Sequence, residues 1–177
     1  RLPIDRENLF VRDRIGRAAA RAGRDPASVR LIAVSKTFDA TYVRAAAEAG
    51  QKDFGENKVQ EALDKMDRTR DLGVRWHLIG HLQTNKAKKA GATFDLIHSI
   101  DSVDLLRKVD DAAAAAGRSP ELLVQVDLAG EATKHGAREE DAQAIFRAAA
   151  DCKGARVVGL MLLPPMVEDP NLARPYF

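Results

Sequence analysis

The chain has 177 residues, of which 45% are hydrophobic and 31% charged, a composition that suits one globular domain with one core. Lys and Arg total 28 against 26 Asp and Glu, a net charge of +2, so the basic field that nucleic-acid binding draws on is missing and no nucleic-acid partner is expected. The single cysteine, Cys152, excludes an internal disulfide and fits a reduced, cytoplasmic protein, and no apolar run reaches a membrane span, so no membrane partner is expected either.

Residues 5–22 are rich in Arg and Ala, with Leu9, Phe10 and Ile15 near helical spacing, and Gly23 and Pro26 mark the end of that helix. Residues 31–36 form an apolar run with β-branched members that reads as a buried strand. Asp39 supplies a cap for a helix reaching residue 49, just before Gly50. Residues 53–55 then read as a strand, 56–68 as a helix, 75–80 as a strand and 84–90 as a basic helix. A strand follows over 94–100, and Ser102 caps a helix that reaches residue 116. Residues 121–128 read as a strand, 138–151 as a helix and 156–163 as a strand. Runs such as Leu122-Leu123-Val124 and Val157-Val158 are apolar toward both faces, as parallel strands covered by helices require.

Six strands with a helix in every interval allow a doubly wound sheet or a (β/α)8 barrel. Polar residues gather at the carboxyl ends of the strands: Lys36, Glu56 with Asn57, His81, Ser99, Asp127 and the region of Met161. That distribution favours a barrel mouth. A dinucleotide-binding sheet would carry a glycine-rich turn after its first strand, and Thr37-Phe38-Asp39 contains no glycine. The expectation is a single α/β barrel domain over 1–177.

Lys36 is the first candidate for chemistry. Ile32, Val34 and Lys36 share one face of the strand, so if the first two point inward, Lys36 is the next inward position, at the mouth. Partial desolvation there would lower its pKa and free an amine for imine formation. From these residues alone the ordinary reading, a strand-terminal lysine reaching into water, outweighs the chemical one. His77 and His81 are four apart, but on a strand running into a loop that spacing spreads the rings, so hydrogen bonding at the mouth is expected and a metal is not. Glu56 and Asn57 fit a polar strand end or the start of a helix, where Glu56 and Glu61 would complement the dipole, and spacing leaves both open. Lys86, Lys88 and Lys89 read as a solvated helix face, while Asp127, Glu131, Lys134 and His135 form a polar loop of open purpose.

The ordered set of motifs is more specific than any single one. Ala33-Val34-Ser35-Lys36, Phe54-Gly55-Glu56-Asn57, the run from Trp76-His77 to Asn85-Lys86, Ile97-His98-Ser99-Ile100-Asp101-Ser102, Val124-Gln125-Val126-Asp127, Lys134-His135-Gly136 and Gly159-Leu160-Met161 follow one another. Together they resemble the pyridoxal phosphate homeostasis proteins, the YggS/PROSC family. The resemblance implies a barrel like the N-terminal domain of alanine racemase that binds pyridoxal 5′-phosphate. It implies that Lys36 is the Schiff-base lysine, that Val34, Asn57, Ile79 and Met161 line the cofactor pocket, and that Lys134 belongs to a loop with a role in cofactor exchange. Asp127 and Thr133 depart from the Asn and Ser frequent in that family, and a charged Asp127 would alter the pocket's potential.

The expected function is therefore a carrier or buffer for the cofactor in pyridoxal phosphate homeostasis, with no robust catalysis. Pyridoxal phosphate-dependent apoenzymes are the candidate recipients, and a monomer is expected rather than an oligomer. The alternative is a racemase or lyase of the same fold. Racemisation needs acid–base groups on both faces of the cofactor, and only Tyr42 and Tyr176 offer a tyrosine. A further expectation concerns length: six βα units fall short of the eight a barrel needs, so C-terminal units with the phosphate-holding residues are expected beyond Phe177.

Overall fold

The arginine- and alanine-rich start forms helix α1, Ile4–Arg21, in a computed structural model that describes residues 4–128 and 135–177, with side chains from residue 7 onward. Two compact units follow the chain, Arg1–His77 and Leu78–Phe177. In the first, α1 is tied down by Arg12, which donates to Gln51 Oε1 at 2.9 Å. The buried Gln51 amide donates in turn to the carbonyls of Leu31 and Asp53, at 2.8 and 2.7 Å. Strand β1 is Ala33–Val34, and helix α2, Ala40–Glu48, is capped by Asp39, whose carboxylate accepts from the Thr41 amide at 2.7 Å. Strand β2, Asp53–Glu56, lies parallel to β1, with Ala33 opposite Phe54 and Val34 opposite Gly55. Helix α3, Val59–Arg68, leads to strand β3, Arg75–Leu78, and Phe54 packs on Trp76 with ring centroids 5.8 Å apart.

In the second unit a 3-10 turn, Thr84–Lys86, opens into helix α4, Ala87–Thr93. Strand β4, Leu96–Ile100, is followed by helix α5, Val103–Ala115, which Ser102 caps by accepting from the Leu105 amide at 3.2 Å. Strand β5, Glu121–Val126, helix α6, Glu139–Ala149, and strand β6, Arg156–Leu162, complete the alternation, and a 3-10 segment covers Pro170–Tyr176. Both β4–β5 and β5–β6 are parallel pairs. Phe94, Ile97, Ile100, Leu105, Leu106, Leu122 and Ile145 are fully buried, each worth roughly 1.5–3 kcal/mol of transfer free energy.

The hydrogen-bonded strand order is the order of the chain, β1 to β6. A doubly wound sheet reverses direction at a switch point, and this order contains no reversal, so the winding is of the barrel type. The class expected from the sequence, α/β with parallel strands and a helix in each interval, is the class observed.

Several details differ. The strand expected over 31–36 pairs regularly only at Ala33–Val34, because the Ser35 carbonyl turns away to accept from the Phe38 amide at 3.1 Å. The helix expected from residue 56 starts at Val59, since Glu56 is the last, fully buried residue of β2, which removes its reading as a helix-dipole partner. The basic helix runs on to Thr93. Finally, β6 does not have both faces covered: Val158 and Leu160 are about half exposed, because β6 ends the strand order and has β5 alone as a paired neighbour among the described residues.

Candidate functional site

Residues 35–38 form a tight turn at the carboxyl end of β1, closed by the hydrogen bond between the Phe38 amide and the Ser35 carbonyl. Lys36 occupies the second position of this turn and is exposed. The expected partial desolvation of Lys36 is therefore not what this chain displays. Val34 is 47% exposed and Lys36 is exposed, whereas Ser35 between them is buried. The face expected to point into a packed interior is thus an accessible one. Asn57 follows β2 and is half-buried. Val34 pairs with Gly55 in a parallel register, so the segments that carry Lys36 and Asn57 both leave the sheet at its carboxyl end.

Beneath that turn lies a buried polar cluster that the sequence did not announce. Glu56 is 0% exposed, and its Oε1 accepts from Lys65 Nζ at 2.6 Å and from Ser35 Oγ at 2.6 Å. Lys65 Nζ also donates to the Ser35 carbonyl at 2.7 Å. Glu56 Oε2 is buried without a hydrogen-bond partner. Such a pair is costly to desolvate and depends on every remaining contact being made. The signal that could have found it is the helical register of α3, where Val59, Ala62 and Lys65 occupy one buried face and the third member is a lysine.

The other expected residues stand at or near strand ends. Ile79 directly follows β3 and is half-buried; Met161 lies in β6 and is half-buried. Lys134, with Glu131 and Thr133, lies outside the described residues. The two histidines of the Trp-His run have separate duties. His77 is buried in β3 with Nε2 2.9 Å from Asp53 Oδ1, a carboxylate that also accepts from Arg75 at 2.9 Å. Burial pushes the His77 pKa below its ordinary value, against the opposing pull of Asp53. This is a structural pairing within the strands rather than hydrogen bonding at the mouth.

His81 is exposed beyond β3, and its ring stacks on His135 with centroids 3.6 Å apart and planes 11° from parallel. Burial and the neighbouring His135 lower the His81 pKa, and Asp101, 3.7 Å from its Nδ1, opposes them. Among the described residues no cluster of three acidic, histidine or cysteine side chains is arranged to hold a metal. Ser99, in β4, is buried and its Oγ has no hydrogen-bond partner. Lys86, Lys88 and Lys89 are exposed, the solvated face their spacing implies. No helix among the described residues is long and apolar enough to cross a membrane.

Parallel strands wound in chain order, with a lysine amine presented at the carboxyl end of the first, define an α/β domain of the barrel type whose chemistry belongs at its strand ends. Comparison with known proteins narrows that class. Residues 10–176 match the family of the alanine racemase N-terminal domain. The pyridoxal phosphate homeostasis protein of Pseudomonas aeruginosa is 42% identical over 159 residues, which cover 89% of this chain and 69% of that protein. Among solved structures, PipY of Synechococcus elongatus PCC7942, determined with PLP bound, is 39% identical with a TM-score of 0.77, over 92% of this chain and 79% of PipY. An alanine racemase of Clostridium difficile shares the fold alone, at 14% identity and a TM-score of 0.65 over 91% of this chain and 40% of the racemase. The chain belongs to the alanine racemase N-terminal domain family and, within it, to the pyridoxal phosphate homeostasis proteins.

Proposed function

We propose that this chain binds pyridoxal 5′-phosphate reversibly at Lys36 and serves as a cytoplasmic carrier or buffer for it, delivering it to apoenzymes rather than turning over amino acids. The observation that carries the reading is the exposed primary amine of Lys36, held on a defined turn at a strand end, in a chain whose relatives are named for pyridoxal phosphate homeostasis. When bound, the cofactor would supply an aldehyde open to reversible condensation with the Lys36 amine, with water as the only other species exchanged and no oxidant or reductant required.

The donor set fits that group. Lys36 offers the nucleophile once deprotonated, and Asn57 offers a carboxamide able to donate and accept. Val34, two residues before Lys36, offers an accessible apolar surface suited to the face of an aromatic ring. In this reading Ile79 and Met161 add apolar lining, and Lys134 takes part in exchange. An exposed amine favours reversibility, because water reaches the linkage as readily as the cofactor does.

A racemase would need a second proton-transferring group opposite the lysine. Tyr42, on α2, has its ring 5.0 Å from Phe38 in a tilted aromatic pair, which accounts for its placement without a catalytic role. The test loads the chain with pyridoxal phosphate, mixes it with a cofactor-depleted apoenzyme and follows the apoenzyme's recovery, while alanine in deuterated water reports α-proton exchange. Recovery without exchange supports the carrier reading. Exchange at enzymic rates contradicts it and favours a racemase.

A further inference from the structure

Thr37 is the one non-glycine residue with positive φ among the described residues, at 70°. That conformation is unfavourable for a β-branched side chain and persists only where neighbouring structure enforces it. It is the third residue of the 35–38 turn, so the strain sits directly beside Lys36. The enforcement comes from the buried side. The Ser35 carbonyl accepts twice, from the Phe38 amide at 3.1 Å and from Lys65 Nζ at 2.7 Å. Lys65 is held there by Glu56, at 2.6 Å, and the Ser35 hydroxyl donates to the same carboxylate oxygen at 2.6 Å. Both partners of the ion pair are buried under a strand only two residues long. An apolar pair of similar volume would commonly serve stability as well or better.

We propose that Glu56 and Lys65 are positioning residues for Lys36: the pair clamps the Ser35 carbonyl and so fixes the turn that presents Lys36 Nζ to the aldehyde. This rests on the reading of Lys36 as the attachment point for pyridoxal phosphate. The role is indirect, since neither side chain needs to touch the cofactor. Each half of the pair acts on the turn differently. Lys65 supplies the second hydrogen bond to the carbonyl, and Glu56 keeps the ammonium buried in place.

The test compares the parent chain with Lys65→Met and with the double variant Glu56→Gln plus Lys65→Met, in which no buried charge is left alone. Lys65→Met strands the Glu56 carboxylate and melts well below the parent. The double variant recovers stability to within about 4 °C of the parent, because its buried charges are gone. Its apparent affinity for pyridoxal phosphate, titrated by absorbance below the melting range, nevertheless falls roughly ten-fold, equivalent to about 1.4 kcal/mol. Hydrogen exchange at the Phe38 amide, which reports the turn itself, quickens in the double variant. A double variant that is stable and binds as the parent does overturns the proposal. So does one that fails to fold, since the pair would then be a requirement of the fold. If the parent chain itself forms no linkage at Lys36, the functional reading fails first; if the parent does and the stable double variant matches it, only the positioning role fails.

Discussion

Asp110 is a structural carboxylate of the second unit. It sits on α5, and its oxygens accept from the backbone amides of Lys153, Gly154 and Ala155 at 3.0, 2.7 and 2.7 Å, holding the chain that enters β6. Burial raises its pKa, and the amides of Ala155, Lys153 and Gly154 outweigh that, so the carboxyl stays below its ordinary value. Replacing Asp110 by Ala leaves three amides without their acceptor, and a loss of about 2–4 kcal/mol in urea unfolding is expected. A loss under about 1 kcal/mol would mean that water takes over the three donors. The role was hidden in the sequence, where an aspartate in a charged helix reads as solvated. Only its register gives it away, because Leu106, Val109, Asp110 and Ala113 share the buried face of α5. Lys36 was singled out in the sequence as a strand-terminal lysine, but its residues alone favoured an ordinary solvated side chain and only the family resemblance gave it a role, whereas Lys65 reads as one more charge on a surface helix.

At the scale of elements, α4 and α5 approach closely because Gly91 has no side chain. A Cβ there would lie 2.5 Å from the Val109 carbonyl oxygen and 3.2 Å from the Ala112 Cβ. Backbone cannot yield as a flexible side chain does, so Gly91→Ala forces the helices apart. Alanine's better helix propensity, worth about 1 kcal/mol, is outweighed, and a net destabilisation of about 1–3 kcal/mol is expected from overpacking. A variant as stable as the parent in thermal unfolding would contradict the packing described. The strands and helices themselves were legible from period and from caps: Asp39 and Ser102 stand where the side-chain chemistry of a helix start demands. The ends were less so. Residues 31–36 look uniformly strand-like, yet the turn at Ser35 is imposed by Lys65, which lies 30 residues further along the chain. Local sequence holds no record of that contact, nor of the missing cover on Val158 and Leu160.

For the whole molecule, the buried titratable groups set how stability follows pH. Asp53 is raised by burial and lowered more strongly by His77 and Arg75, so its folded pKa lies below the ordinary carboxylate value, as that of Asp110 does. Both favour the folded state above the unfolded carboxylate pKa, near 4, and that support is lost as pH falls through their lower folded values. His77 and His81 are also depressed, chiefly by burial. Between their folded values and about 6.5 the unfolded chain binds protons that the folded chain refuses, so stability declines as pH drops below about 6.5 and declines further below about 4. Urea midpoints measured from pH 8 to pH 3 should show both stages. His77→Gln removes its share of the first stage, leaves that of His81 and keeps the acid stage. An unchanged first stage in this variant would show that His77 is protonated in the fold.

The central claim is that one amine of this molecule, Lys36 Nζ, takes up pyridoxal phosphate. Borohydride reduction of the loaded chain, followed by proteolysis and peptide mass analysis, tests it directly. The account predicts a single reduced pyridoxyl adduct on the peptide containing Lys36, and none on any peptide of the Lys36→Ala variant. An adduct at another lysine in the parent chain, or an undiminished chromophore in the variant, would contradict it.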